Sequence, residues 1–251
     1  MLPLSKPASA SLERVLREHP LGDRGRDYLA RRGLLEVATD PSSSGLVFGE
    51  VQTASRPEDS RYLGRLVVPT FSARGTVVHV TFRCMTDHVC DGHPKYLHYP
   101  GVDSRLYNTA ALNRARDVVD IAEGQLDAAT LTAVGLHAVG VPGAQAWKPH
   151  AWRLFQGFDR VRFWADQDDK GSSLELYARI RLHLRQAELV RLPAGADVNS
   201  LYVAGGRDAL LRLTDGDDGS HTGSTAQADP TERDHDDPEL HYDPDGNVIP
   251  F

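Results

Sequence analysis

VVDIAEGQLDAATLTAVGLHAVGV (118–141) and VRFWADQDDKG (161–171) carry the reading of the fold. Val118–Ala122 is a short apolar run with the composition of a buried strand, followed by helical spacing over Leu126–Gly135 and a second strand at His137–Val141. The alternation continues further on: Pro149–Gln156 reads as helical, Val161–Ala165 as a strand, Leu174–Arg185 as a helix, Leu189–Leu192 as a strand and Ser200–Leu213 as a helix. Strands alternating with helices at this interval predict parallel βαβ units, whose ligand sites lie beyond the carboxyl ends of the strands.

Working outward, RLVVPTFSARGTVVHVTFR (65–83) is two strand-like runs separated by Ser72-Ala73-Arg74-Gly75, a hairpin signal. Residues 11–34 read as two short helices broken at Pro20-Leu21-Gly22-Asp23, and 41–60 as loop around a short apolar strand at Leu46-Val47-Phe48. Residues 84–116 read as polar and irregular until a short helix around Thr109–Arg116. The expected division is therefore a smaller basic α+β subdomain over 1–116, an α/β parallel sheet with flanking helices over 117–213, and a tail over 214–251.

Composition supports that division. The chain has 251 residues, 40% of them hydrophobic, enough for a real core. Its formal charge of −7 is uneven: residues 214–251 hold 11 Asp and Glu against Arg233 alone, leaving the rest at about +3. A tail so poor in apolar residues cannot offset its ordering entropy and is expected to be disordered. A mildly basic body with an acidic tail suits a nucleic-acid protein. No apolar run approaches the roughly 20 residues of a membrane-spanning helix, and no signal peptide is legible, so a soluble, cytoplasmic protein without membrane contact is expected. Two cysteines, Cys84 and Cys90, exclude a disulfide framework or a four-cysteine zinc ribbon within this chain. Cys84, His88, Cys90 and His93 could meet a zinc ion, but their spacing fits no standard knuckle and zinc is not the expectation.

Chemistry concentrates at the strand ends. Glu123 follows one apolar strand, and Asp166 and Asp168 follow another, so a parallel sheet would present three carboxylates at one edge. Hard oxygen ligands of this kind suit Mg²⁺ or Mn²⁺ and point to phosphoryl transfer. The competing reading makes such acids helix caps and first-turn residues facing the helix dipole, a role assigned here to Asp127 and Asp169.

Ile121-Ala122-Glu123-Gly124 with Leu126-Asp127-Ala128, then Asp166-Gln167-Asp168 with Gly171, resemble the two signature motifs of the TOPRIM fold. DYLARRGL (27–34), the 65–83 hairpin, PKYLHYPG (94–101), SRLYNTAAL (104–112) and LPAGADVNSL (192–201) resemble, in order and approximate spacing, the catalytic core of DnaG-type DNA primases. The resemblance covers about residues 24–213. It implies a TOPRIM-type, Rossmann-like sheet and metal-dependent synthesis of RNA primers from ribonucleoside triphosphates on single-stranded DNA. Glu123, Asp166 and Asp168 become metal ligands and catalytic residues, Asp197 a further metal-site acid, and Arg83, Lys95, Arg65 and Arg105 partners of nucleotide and template phosphates.

Two departures stand out. Asn199 occupies a position where that family usually carries a second Asp, and only Arg105 can replace a lysine that usually precedes Leu106-Tyr107. No zinc ribbon and no G-x-x-x-x-G-K-[ST] loop occur, so a phage- or plasmid-type primase core is expected, with a replicative helicase and a zinc-ribbon or template-recognition protein as partners. Asp243-Pro244-Asp245 followed by Ile249, Pro250 and Phe251 resembles the acidic, apolar-ended tip of single-strand-binding proteins, which could dock replication partners, but a solubilising tail is the expectation. The alternatives are a TOPRIM nuclease using the same acids on water, and a non-catalytic replisome adaptor that binds nucleic acid.

Overall fold

The computed structural model describes residues 6–40, 45–72, 74–86, 93–143, 146–166 and 171–215, and these belong to one compact unit. Asp168, His88, Cys90 and the 216–251 segment with Ile249, Pro250 and Phe251 lie outside the described residues, so the expectations for them stand as stated.

The chain opens with α1 (Lys6–Glu18), α2 (Asp23–Arg31) and α3 (Leu35–Thr39). The break between α1 and α2 falls at the expected Pro20-Leu21-Gly22. An antiparallel sheet follows in the order β1 (Gly49–Glu50), β2 (Arg65–Phe71), β3 (Val77–Cys84), β4 (Tyr96–His98). The β2–β3 turn closes as expected: Gly75 sits at φ 76°, and the Ser72 hydroxyl accepts hydrogen bonds from the Arg74 and Thr76 amides. Pro69 costs the sheet no bond on the β1 side, because β1 pairs only with Leu66 and Val67.

After α4 (Ala111–Arg114) come β5 (Val118–Ala122), α5 (Gln125–Ala133), β6 (Ala138–Gly140), β7 (Arg160–Ala165), α6 (Ser172–Arg181), β8 (Ala187–Arg191) and α7 (Val198–Asp215), the last kinked at Gly206 with φ 65°. The four strands are parallel in the order β6-β5-β7-β8, the α/β sheet expected from the alternation. Alternate residues serve opposite faces. Val119, Ile121, Val161 and Phe163 pack with Phe155, Ile180 and Leu184 on one side. On the other, Ala122, Trp164 and Val190 join a core that also contains Tyr28, Leu29, Leu66, Leu131 and Leu210. Residues from both sides of position 116 therefore share one core. Leu12, Val15, Val67 and Val80 form a third, with Tyr62 stacked on Phe82 at 3.9 Å.

Three local readings need correction. The strand expected at Leu46-Val47-Phe48 falls instead at Gly49–Glu50, where pairing with Val67 and Leu66 sets it. PKYL is not irregular: Tyr96–His98 pairs antiparallel with Thr81–Arg83. The segment read as helical over 149–156 holds only a 3₁₀ turn at Ala151–Leu154, too short for α-helical bonding between Pro149 and the buried Phe155. Among the described residues, no helix is long and apolar enough to cross a membrane.

Candidate active site

The acids take their places from strand register. Ala122 of β5 lies opposite Trp164 of β7, so Glu123 and Asp166 emerge from adjacent parallel strands at the same edge. They are in contact: the Asp166 amide donates to Glu123 Oε1 at 3.2 Å. Gly124 then starts α5. A Cβ there would sit 2.3 Å from Asp127 Oδ2, so a larger residue would make the Asp127 carboxylate shift from its place over the helix start.

Asp127 lies in the first turn of α5, as the sequence reading has it, and its surroundings add a second role. Burial pushes its carboxyl above the usual range, and the charge of Asp197 pushes the same way, while Arg83, Arg32 and the Asn199 amide pull it back. It therefore belongs to a mixed acid and cation cluster and does more than complement a helix dipole. Asp197 caps α7, with Oδ1 accepting from the Ser200 amide at 2.6 Å and its own amide donating to Ser200 Oγ at 2.9 Å.

The cations come from the antiparallel sheet. Arg83, at the end of β3, donates from Nε to the Tyr28 hydroxyl at 2.5 Å and from a terminal nitrogen to the Tyr96 hydroxyl, its guanidinium 4.9 Å from the Tyr96 ring. Lys95 Nζ lies 5.8 Å from the same ring. Burial lowers the Lys95 pKa and the Arg83 charge lowers it further, while Asp127 and Asp197 pull it up. Arg32 stacks 4.9 Å over Tyr28. Asn199, 3% exposed, holds Arg32 there: its Oδ1 accepts from the guanidinium at 2.8 Å, and its Nδ2 donates to Arg32 O and Thr130 Oγ1, each at 2.9 Å. Tyr28, Arg32 and Tyr96 were missed because aromatic and arginine residues carry no site signal until tertiary contacts bring them together.

Arg65 is placed differently from Arg83. It is 2% exposed and donates to the Pro94 carbonyl at 2.9 Å, which anchors the segment presenting Lys95. Arg105 lines a separate cavity beside Leu106 and Leu154. Among the described residues, no three Asp, Glu, His or Cys side chains converge closely enough to enclose a metal ion, and buried Cys84 contacts Thr86 Oγ1 at 3.1 Å.

No family profile matches the chain. The Gene 57 protein of Mycobacterium phage D29 is 46% identical over 121 residues, which is 48% of this chain and 78% of that protein, and the chain belongs to its family. The DNA primase of Pseudomonas putida aligns at 28% identity across 84% of this chain and 37% of its own length. The chain is a homologue of the DnaG-type DNA primases. It spans little more than a third of that bacterial primase. The fold of the primase homologue agrees with solved structures: a DnaG primase catalytic domain bound to single-stranded DNA superposes at TM-score 0.64 with 18% identity, covering 83% of this chain and 78% of that one. A primase domain from Pseudomonas aeruginosa superposes at 0.60 with 22% identity, over 85% and 78%.

Proposed function

We propose that this chain is a primase catalytic core that joins ribonucleotides into short primers on single-stranded DNA. The observation that carries the reading is the meeting of Glu123 and Asp166 at the carboxyl edge of a parallel sheet, with Asp127 of the following helix turn coupled to Arg83 of the antiparallel sheet. The primase homology supports metal-dependent catalysis. The donor set fits a hard divalent ion such as Mg²⁺ or Mn²⁺, which is commonly held by one or two carboxylates and keeps the rest of its shell for water and phosphate. Glu123 and Asp166 would hold it, with Asp168 and Asp197 as further candidates. When bound, the ion supplies Lewis-acid activation of an attacking hydroxyl and charge neutralisation at the triphosphate.

The chain's own residues supply the remainder. Arg83 and Lys95 face the phosphates of the incoming nucleotide and template as charge-assisted donors. The Tyr28 and Tyr96 hydroxyls orient Arg83 before substrate arrives, so the cation loses little freedom on binding. Arg65 acts one step back through Pro94. In this reading residues 1–116 face template and nucleotide, 117–213 form a TOPRIM-type metal-binding half, and template choice and unwinding fall to a zinc-ribbon protein and a replicative helicase.

The test is incorporation of labelled ribonucleotides on mixed-sequence single-stranded DNA with Mg²⁺ or Mn²⁺, comparing wild type with Glu123→Ala and Asp166→Ala. Short primers from wild type alone are expected. A wild type that makes none even with helicase and a zinc-ribbon partner would overturn the reading, and template degradation in the same reaction would indicate a nuclease.

A further inference from the structure

Two histidines of the antiparallel sheet take no part in the cluster of carboxylates and arginines. Register puts Thr81 of β3 opposite His98 of β4, so His79 is the diagonal neighbour of His98 on the same face of the sheet. His79 Nε2 lies 3.2 Å from His98 Nδ1, with ring centroids 5.4 Å apart and planes inclined by 38°. His79 is fully buried, whereas His98 is exposed. The buried side of the pair is polar and unsatisfied: His79 Nδ1, the hydroxyl of Thr70 opposite it on β2, and the Thr81 hydroxyl make no hydrogen bond. Buried polar atoms of this kind are costly, and three of them on one sheet face call for a reason. Burial, then the charges of His98 and Arg105, lower the His79 pKa to about 4 against the pull of Asp103, so at neutral pH the ring keeps a lone pair to offer.

We propose that His79 and His98 form a structural site for a borderline-soft divalent ion, zinc first, that clasps β4 to β3. Two imidazole nitrogens on one tetrahedral zinc ion stand roughly 3.3 Å apart, and the pair already has that separation. The ion replaces the hydrogen bond between the rings, with His79 carrying its proton on Nδ1 and His98 on Nε2. His98, on the exposed side, turns so that both lone pairs converge on the ion. The His79 Nδ1–H then has the Thr70 hydroxyl beside it as an acceptor, the kind of outer partner a ligating histidine ordinarily has. Water completes the coordination on the His98 side. Imidazole favours zinc, copper or nickel over magnesium, which sets this site apart from Glu123 and Asp166. Its consequence follows from β4, a three-residue strand at the sheet edge that pairs with β3. An ion here pins the strand that carries Tyr96, whose hydroxyl orients Arg83. The proposal does not depend on the primase reading.

The experiment is calorimetric titration of Zn²⁺ into the full chain, with Mg²⁺ in excess to occupy the carboxylates, followed by thermal unfolding with and without Zn²⁺. Wild type is compared with His98→Asn, with His98→Cys, which keeps a zinc ligand at that position, and with His88→Ala/Cys90→Ser, which removes the other candidate zinc ligands. Wild type and the His88→Ala/Cys90→Ser variant should bind Zn²⁺ alike and unfold at a higher temperature in its presence. His98→Asn should keep the metal-free unfolding temperature, because the position is exposed, and bind Zn²⁺ at least about tenfold more weakly, since loss of even an outer partner costs that much. His98→Cys should recover affinity relative to His98→Asn. Co²⁺ in place of Zn²⁺ should give wild type a visible absorption of tetrahedral type that His98→Asn lacks. Unchanged Zn²⁺ affinity in a folded His98→Asn, or no Zn²⁺ binding by wild type, would overturn the proposal. So would loss of the ion in the His88→Ala/Cys90→Ser variant, which would assign zinc to the connection between β3 and β4.

Discussion

Glu123 shows how one residue's role depends on its neighbours. Its carboxylate is oriented by the Asp166 amide, and Gln can keep that acceptor while losing the charge. Glu123→Gln should therefore retain wild-type thermal stability and lose metal-dependent incorporation by at least about 100-fold, consistent with the several kcal/mol a metal's charge contributes. His79 carries a different prediction. It is fully buried in β3, with Nε2 3.2 Å from His98 Nδ1. Burial, followed by the charges of His98 and Arg105, lowers its pKa from 6.5 to about 4. The unfolded chain takes up this proton near 6.5 and the fold only near 4, so the stability present above 6.5 is lost as pH falls between them. Urea midpoints at about pH 7.5 and pH 4.5 should differ more for wild type than for His79→Gln.

At the scale of elements, two polar ties decide how sheets and helices meet. Asp120 of β5 accepts both Arg162 nitrogens of β7 at 2.9 Å and Trp164 Nε1 at 2.7 Å, and the carboxylate is 1% exposed. Burial raises the Asp120 pKa while Arg162 lowers it, so the ion pair is held against a desolvation cost. Asp120→Ala strands the arginine and should cost about 3–5 kcal/mol in denaturant unfolding, whereas replacing both partners with apolar residues of similar volume should recover most of it. The second tie is Asn199, which joins the end of α2 to α5 through Arg32 and Thr130. Asn199→Ala leaves those groups without their partner and should cost about 1–3 kcal/mol. It should also free Arg32 from its seat over Tyr28, and a raised KM for nucleotide with stability restored by osmolyte would separate that positioning effect from unfolding.

Across the whole molecule, charge is distributed against function. Truncation after Asp215 changes the formal net charge from −7 to +2. Oligothymidine affinity should rise about threefold or more at low salt, and the gain should fade by about 200 mM as screening removes the long-range repulsion. The shared core gives a related lesson about architecture. Tyr28, Leu66, Trp164 and Leu210 come from four distant stretches and pack together, so the antiparallel and parallel sheets are held as parts of one compact unit.

Local pattern alone determined the βαβ alternation, the hairpin turn at Ser72–Gly75 and the placing of Glu123 and Asp166 at strand ends, because strand and helix periods and turn chemistry act over a few residues. β4 was not legible: three residues become a strand only through pairing with β3. Nor was the burial of Arg65, whose sequence neighbours give it no different appearance from Arg83. Only tertiary structure decided that Asp127 faces Arg83 and Asp197, that Asn199 ties α2 to α5, and that Arg105 borders a cavity with Lys148 and Arg153. Desolvation and charge pairing are set by residues far apart in the chain, and no local spacing records them.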